Sequence, residues 1–326
     1  MKALVTGATG FIGSHLVELL LKKDYAVRVL LRKTSDTIWL KDLPLEKVTG
    51  DLFDVHALEE AVTGVDYVFH SAGVTKSRTA EGYFQGNTEG TKNILEAVRR
   101  SNPSLKRFVH VSSQAAAGPS PGKNPITEAV KAHPITTYGM SKWASEQLCM
   151  KMKGELHVTI VRPAVVYGPR DKDVFEFFHT IARGLQPMAG MTEKYVSMIY
   201  VADLVRGIWL ASENPAAVAQ TYFLTSSMAY GWKDIGEVTR HVMGKKAIRV
   251  KIPKWGIFTV AAVAEGIASL SSKPALINFE KARDMVQDYW TSSPEKADRD
   301  LGFRQEISLE EGIRETVNWY KEHGWL

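Results

Sequence analysis

Three glycines within seven residues constrain this chain more than any other feature. They lie in Thr6-Gly7-Ala8-Thr9-Gly10-Phe11-Ile12-Gly13, which follows the apolar run Lys2–Thr6 and opens a helical pattern over Phe11–Lys22. A sharp strand-to-helix turn this early begins a βαβ unit. At such a turn the backbone lets a pyrophosphate approach the helix N-terminus, where free N–H groups and the macrodipole favour negative charge. Gly7, Thr9, Gly10, Phe11, Ile12 and Gly13 are therefore candidate cofactor-binding positions.

The rhythm continues downstream. Strand-like runs at Ala26–Leu31, Lys47–Thr49, Asp66–His70, Arg107–Ser112 and His157–Arg162 alternate with helical patterns near Val55–Val62, Thr88–Arg99 and Tyr138–Met152. The expected fold class is α/β: a Rossmann-type doubly wound parallel sheet covered by helices on both faces. From about Gly168 the patterns become longer and more helical, at Val201–Ala211, Trp232–Val242, Ile257–Leu270 and Leu309–His323. Residues 1–167 thus read as a nucleotide-binding domain and 168–326 as a smaller, mostly helical substrate lobe. The chain is expected to cross between the two more than once. Ser308 and Glu311 are spaced as a capping box for the last helix, and Asp203 reads as a helix N-cap.

Composition narrows the function. The 41 basic residues against 36 acidic ones are scattered, so the net charge of +5 suits an anionic small molecule and gives no nucleic-acid stripe. A single cysteine, Cys149, makes neither an internal disulfide nor a zinc site. The opening residues hold no export signal, and the run Trp255–Leu270 is shorter than the ~18–20 residues of a spanning helix. A cytoplasmic protein with no metal and no transmembrane span is expected.

The second strand ends Val29-Leu30-Leu31-Arg32-Lys33, with no acid before Asp36. An NAD-selective site places an acid there for the ribose, whereas an arginine accommodates a 2′-phosphate. Arg32 and Lys33 therefore favour NADP(H), with NAD(H) as the alternative.

Tyr138-Gly139-Met140-Ser141-Lys142 puts Tyr138 and Lys142 on one face of a helix. A free phenol titrates near pH ~10, too high for proton exchange at neutrality; a neighbouring ammonium and an oxidised nicotinamide ring would stabilise the phenolate and lower that value. Ser113, at the end of the fifth strand, is placed to hydrogen-bond a substrate carbonyl or alcohol. His70 and His110 fall on strands and read as packed histidines. No P-loop lysine or GxSxG elbow competes for the chemistry.

With these motifs assembled, the sequence resembles an extended short-chain dehydrogenase/reductase. That superfamily includes nucleotide-sugar epimerases, dihydroflavonol reductases and 3β-hydroxysteroid dehydrogenases. The matching features are the glycine loop, Gly50-Asp51-Leu52, His70-Ser71-Ala72-Gly73, Asn87 with Gly90-Thr91, Val111-Ser112-Ser113, the Tyr138–Lys142 spacing, and Arg162-Pro163 through Tyr167-Gly168-Pro169. The resemblance implies that Ser113 orients the reacting oxygen and Tyr138 is the general acid/base. Lys142 lowers its pKa and holds the nicotinamide ribose, and Asn87 supports a water relay. It also implies that Asp51 and Leu52 flank the adenine, Ser71, Ala72 and Gly73 line the middle of the cofactor, and Pro163 begins the nicotinamide segment. Ser113 is preferred to Ser112 because it stands five residues before Gly118, as in the family's SxxxxG pattern.

Departures from the superfamily's sugar enzymes point to a branch. Gln114-Ala115 replace the acidic pair of the sugar dehydratases, and the stretch where a diphosphate-gripping arginine is usual reads Tyr195-Val196-Ser197, with only Lys194 nearby; lysine is not an equivalent fork. The C-terminal region, with Ile252-Pro253-Lys254-Trp255 and an apolar helix, resembles the dihydroflavonol reductase and hydroxysteroid dehydrogenase branch. That helix would roof a pocket for a hydrophobic substrate, rest against a membrane surface, or pack as plain core. The favoured function is an NADP(H)-dependent oxidoreductase moving a hydride to or from a small, fairly apolar carbonyl or alcohol. A nucleotide-sugar epimerase with tightly held NAD is the runner-up, and a catalytically silent NADP-binding regulatory module the third reading. By analogy the chain forms a homodimer through helices around 88–99 and 140–152.

Overall fold

The computed structural model describes residues 1–269 and 278–326. The first half contributes strands β1 (Lys2–Thr6), β2 (Ala26–Leu31), β3 (Leu45–Thr49), β4 (Tyr67–His70), β5 (Arg107–Val111) and β6 (Val158–Pro163). Between them lie helices α1 (Phe11–Lys22), α2 (Val55–Val62), α3 (Ala80–Phe84), α4 (Gly90–Ser101) and α5 (Thr137–Lys151). A strand from the second half, Gln220–Leu224, joins them in one seven-stranded sheet, in the order Gln220–Leu224, β6, β5, β4, β1, β2, β3. Every neighbouring pair is parallel.

Both faces of the sheet are buried, and the two-residue period of a strand decides what each face holds. Ala3 and Val5 of β1, with Val27, Val29 and Phe69, pack against Leu16, Val17 and Leu20 of α1. Leu4, Leu30, Val68 and Phe108 point the other way, onto Leu58 and Val62 of α2 and Ile94 and Leu95 of α4. Because all strands run in one direction, their carboxyl ends share a single edge. The strand order reverses around β1, and there the crevice for a ligand opens.

The outer edge of the sheet is closed by side chains. Along Gln220–Leu224, the Phe223 N–H donates to Glu128 Oε1 at 2.7 Å, and the Thr221 carbonyl accepts from Lys296 Nζ at 2.9 Å.

The remaining second half is mostly helical, with helices at Val201–Glu213, Trp232–Met243, Lys254–Ser269, Phe279–Met285 and Leu309–Glu322. The helix expected over Ile257–Leu270 begins three residues earlier, and Leu270 lies outside the described residues. The pattern at Thr88–Arg99 resolves into a π-helical turn, Gln85–Glu89, running into α4. Ser308 caps the last helix by accepting the Glu311 N–H at 3.2 Å.

The N-cap expected at Asp203 is not formed. The helix starts after Tyr200, so Asp203 stands in its first turn, buried. Its carboxylate instead accepts the N–H groups of Glu306 and Ile307, at 3.0 Å each, and pairs with Arg206 at 2.9 Å. It ties the start of this helix to the segment before the last one.

Candidate active site

The glycine loop leaves β1 with Gly7 at φ +71°, a conformation strained for any other residue. A Cβ on Gly7 would stand 2.6 Å from Ala72 N, and one on Gly13 would stand 2.1 Å from the Gly7 carbonyl oxygen. These two glycines let α1 close onto the loop and the loop close onto the turn Ser71-Ala72-Gly73. Gly10 differs: it is exposed, it precedes α1, and no side chain caps the helix there. An open, uncapped N-terminus keeps its first N–H groups for an anion, which fits a dinucleotide pyrophosphate.

The other expected cofactor residues lie along the same edge. Arg32 and Lys33 follow β2, exposed, and neither side chain has a hydrogen bond or ion pair among the described residues. Asp51 is exposed and accepts the Phe53 N–H at 2.8 Å, while Leu52 packs against Gly90. Pro163 is buried at the end of β6, in register with Leu224.

Asn87 occupies the π-helical turn and is 1% exposed. Its Oδ1 accepts the Val74 N–H at 2.7 Å, and its Nδ2 donates to the Val74 carbonyl and to Ser141 Oγ, at 3.0 and 2.9 Å. The amide thus clamps the chain after Gly73 to α5. A Cβ on Gly73 would meet Asn87 Oδ1 at 2.8 Å and Lys142 Nζ at 3.8 Å, so only glycine leaves room there.

Ser113 follows β5, where its hydroxyl accepts the Ala115 N–H at 3.1 Å, and Tyr138 stands in the first turn of α5. Burial of the phenol pushes Tyr138 up to about 12; the Ser113 hydroxyl opposes the rise, and Asp173, Asp284 and Tyr83 add to it. Lys142 Nζ donates to the Val111 carbonyl oxygen at 2.7 Å, and burial holds it down to about 8. Lys142 is not among the groups that shift Tyr138 here. The ammonium is turned to a backbone carbonyl, and desolvation dominates the phenol.

Behind Lys142 the support is ionic. Glu146, one turn further on, takes Arg162 bidentately at 2.9 and 2.6 Å and accepts Ser112 Oγ at 2.5 Å, all buried. Ser112 is thus engaged in the interior, and Ser113 is the serine facing Tyr138. His70 lies between Thr6 and Thr91, and His110 is bonded to Ser145. Burial holds His70 down to about 3 and His110 well below its usual range, so both are neutral packing residues.

Several site residues carry no motif. Gly139 is the clearest, because a Cβ there would stand 2.4 Å from the Ala115 carbonyl oxygen. Glycine thereby lets α5 rest on the turn that begins at Ser113. Its signal is the position itself: glycine inside a helix is unfavourable by ~1 kcal/mol, which points to a packing reason. Thr136 caps α5 by accepting the Gly139 N–H at 3.2 Å, and Glu280 of the second half accepts the Thr137 N–H. Asp284, on the same short helix as Glu280, has a buried Oδ1 without a partner among the described residues and is pushed up to about 7 by burial. Among the described residues no group of three or more His, Cys, Asp or Glu is placed to hold a metal ion, and no helix is long and apolar enough to cross a membrane.

Comparison with known proteins agrees with this architecture. The profile of the NAD dependent epimerase/dehydratase family matches residues 3–231. The ceramide reductase of Caulobacter vibrioides is 32% identical, over 99% of this chain and 95% of its own. Sterol demethylase protein B of Methylococcus capsulatus is 33% identical over the full length of both. Among solved structures, the crystal structure of gox2253 superposes with a TM-score of 0.83 at 27% identity, covering 100% of this chain and 99% of that one.

Proposed function

The chain belongs to the NAD dependent epimerase/dehydratase family, and from that premise we propose that it is an NADP(H)-dependent oxidoreductase acting on a carbonyl or alcohol of a small, fairly apolar substrate. The observation carrying this reading is that Ser113, just after β5, and Tyr138, in the first turn of α5, stand at the same carboxyl edge of the sheet as the uncapped glycine loop, with Lys142 one turn further along α5. The free basic pair Arg32 and Lys33, with no acid beside it, supports NADP(H) over NAD(H). The name of the ceramide reductase, a lipid enzyme, supports an apolar substrate.

When bound, the nicotinamide supplies or accepts the hydride. The protein's own groups manage the oxygen. Ser113 orients the substrate oxygen by hydrogen bonding. Tyr138, protonated at neutral pH with its pKa about 12, donates its proton to that oxygen as negative charge develops on it. Lys142, largely an ammonium below about pH 8, adds positive charge beside the phenol and a donor for the nicotinamide ribose. Asn87 keeps the Gly73–Val74 turn against α5 so that the two sides of the cleft stay in register.

Titration of the purified protein with NADPH and NADH tests the cofactor reading, together with identification of any nucleotide that co-purifies. The expected result is freely exchanging NADPH bound more tightly than NADH. Arg32→Ala should then weaken NADPH about tenfold to a hundredfold, the worth of a hydrogen bond to a charged group, and leave NADH unchanged. Equal losses for both cofactors overturn the assignment. The family's name also covers epimerases, and tightly retained NAD would move the reading to that chemistry. We also propose a homodimer through α4 and α5, since Met140 and Trp143 project from α5 with 44% and 38% of their surface exposed.

A further inference from the structure

The outward face of the helix Lys254–Ser269 carries no charge. Trp255, Val260, Val263 and Ile267 stand on it, 74, 48, 57 and 67% exposed. At 3.6 residues per turn these fall on one side, and Ile257 and Ala261 fall on the other, buried with Ala282. Glu265, the helix's one acid, accepts the Phe279 N–H at 2.9 Å. The strand Ile248–Ile252 precedes the helix. Strand alternation puts Ile248 and Val250 on the face of Ile252, which packs beneath the helix, and both are exposed. Scattered apolar residues on a surface are ordinary, whereas a continuous ridge of this kind marks a contact.

Charge identifies what the ridge meets. Between Glu237 and Glu265 the sequence holds Arg240, Lys245, Lys246, Arg249, Lys251 and Lys254 and not one Asp or Glu. Only Arg249, through Glu237, has an ion-pair partner among the described residues. A second copy would bring the same positive rim to a symmetric interface and repel it. An anionic lipid surface accepts both the ridge and the rim. The helix, 16 residues long, is too short to span a bilayer but long enough to lie in its interface.

We infer that this face docks on an anionic bilayer surface. Trp255, Val263 and Ile267 enter the headgroup boundary, and Lys245, Lys246, Lys251 and Lys254 meet the lipid phosphates. The inference is independent of the chemistry proposed above, because none of these residues belongs to the cofactor or catalytic groups.

Flotation of the full chain with vesicles tests it. The protein should float with vesicles of equal parts phosphatidylcholine and phosphatidylglycerol, stay behind with phosphatidylcholine alone, and be released by raised salt. Val263→Asp with Ile267→Asp should abolish flotation while leaving the thermal midpoint and nucleotide binding as in the parent. Lys245→Glu, Lys246→Glu and Lys251→Glu should each weaken binding about fivefold or more, as expected for lost charges near an anionic surface. These lysines are exposed, so the result stands even if the paired aspartates disturb folding. Recovery of the wild type in the unbound fraction with both vesicles overturns the inference, as does equal flotation of all variants. A concentration-dependent dimer that the aspartates dissociate, without vesicle binding, would assign the face to a second copy and overturn it as well.

Discussion

Two helices meet the same edge of the sheet with their N-termini, and they are finished in opposite ways. At α1 the first turn is left open: Gly10 is exposed and no side chain caps it. At α5 the first turn is closed twice, by Thr136 on the Gly139 N–H and by Glu280 on the Thr137 N–H. A helix that binds an anion through its amides has to keep them free, and one that holds a reacting side chain gains from satisfying them. Both helices use a glycine for close approach, Gly13 onto Gly7 and Gly139 onto Ala115. In one the approach shapes a cradle, and in the other it sets where Tyr138 stands.

The sharpest way to separate the two is Tyr138→Phe. Turnover should fall by about a hundredfold to ten-thousandfold, the worth of general acid/base catalysis, with NADPH affinity nearly intact. Unchanged turnover would break the oxidoreductase and epimerase readings together. Next, Gly139→Ala should displace α5 from the Ser113 turn and lower kcat about a hundredfold, as a misplacement near 1 Å does, while NADPH binding persists. Gly13→Ala should show the reverse order, with nucleotide affinity lost first. Should both glycines affect binding alike, the division between the two helix ends fails.

A pH profile sharpens the same division at Lys142. Its pKa is lowered to about 8, so the ammonium is present below that pH and lost above it. The kcat/KM for carbonyl reduction should therefore fall as pH rises through 8, about tenfold by one unit beyond, because kcat/KM reports the free enzyme. The glycine loop offers backbone N–H groups to the nucleotide, so the Kd of NADPH should change less. Lys142→Arg should remove this limb. The smallest effect is Thr136→Ala, which deletes a cap worth ~1 kcal/mol. It should lower the midpoint of thermal unfolding by a few degrees with little effect on NADPH affinity.

What the sequence disclosed follows from how local its causes are. The glycine loop, the alternation of β1 to β6 and the Tyr138–Lys142 spacing depend on residues a few positions apart, and the structure builds them where expected. Ser308 caps its helix for the same reason. Contacts between distant residues were not legible. Asp203 reads as a cap from its residue type near the start of a helical run, but its partners, Glu306 and Ile307, arrive a hundred residues later. Lys142 lay one turn from Tyr138 as spacing required, yet the Val111 carbonyl takes its ammonium. Asp284 and Glu280 reach the Tyr138 end of α5 from the far end of the chain, where no motif announces them.

The closing strand Gln220–Leu224 has a consequence for the life of the chain on the ribosome. Until it has been made, β6 stands as a bare edge for several seconds at ~5–20 residues per second, able to pair with any extended segment nearby. Once it docks it becomes the new edge, and Glu128 and Lys296 occupy its outward Phe223 N–H and Thr221 carbonyl. These two side chains act as a selvedge, finishing the sheet so that it does not fray into its neighbours. Their loss should be felt as aggregation during synthesis and storage while the folded enzyme keeps its rate.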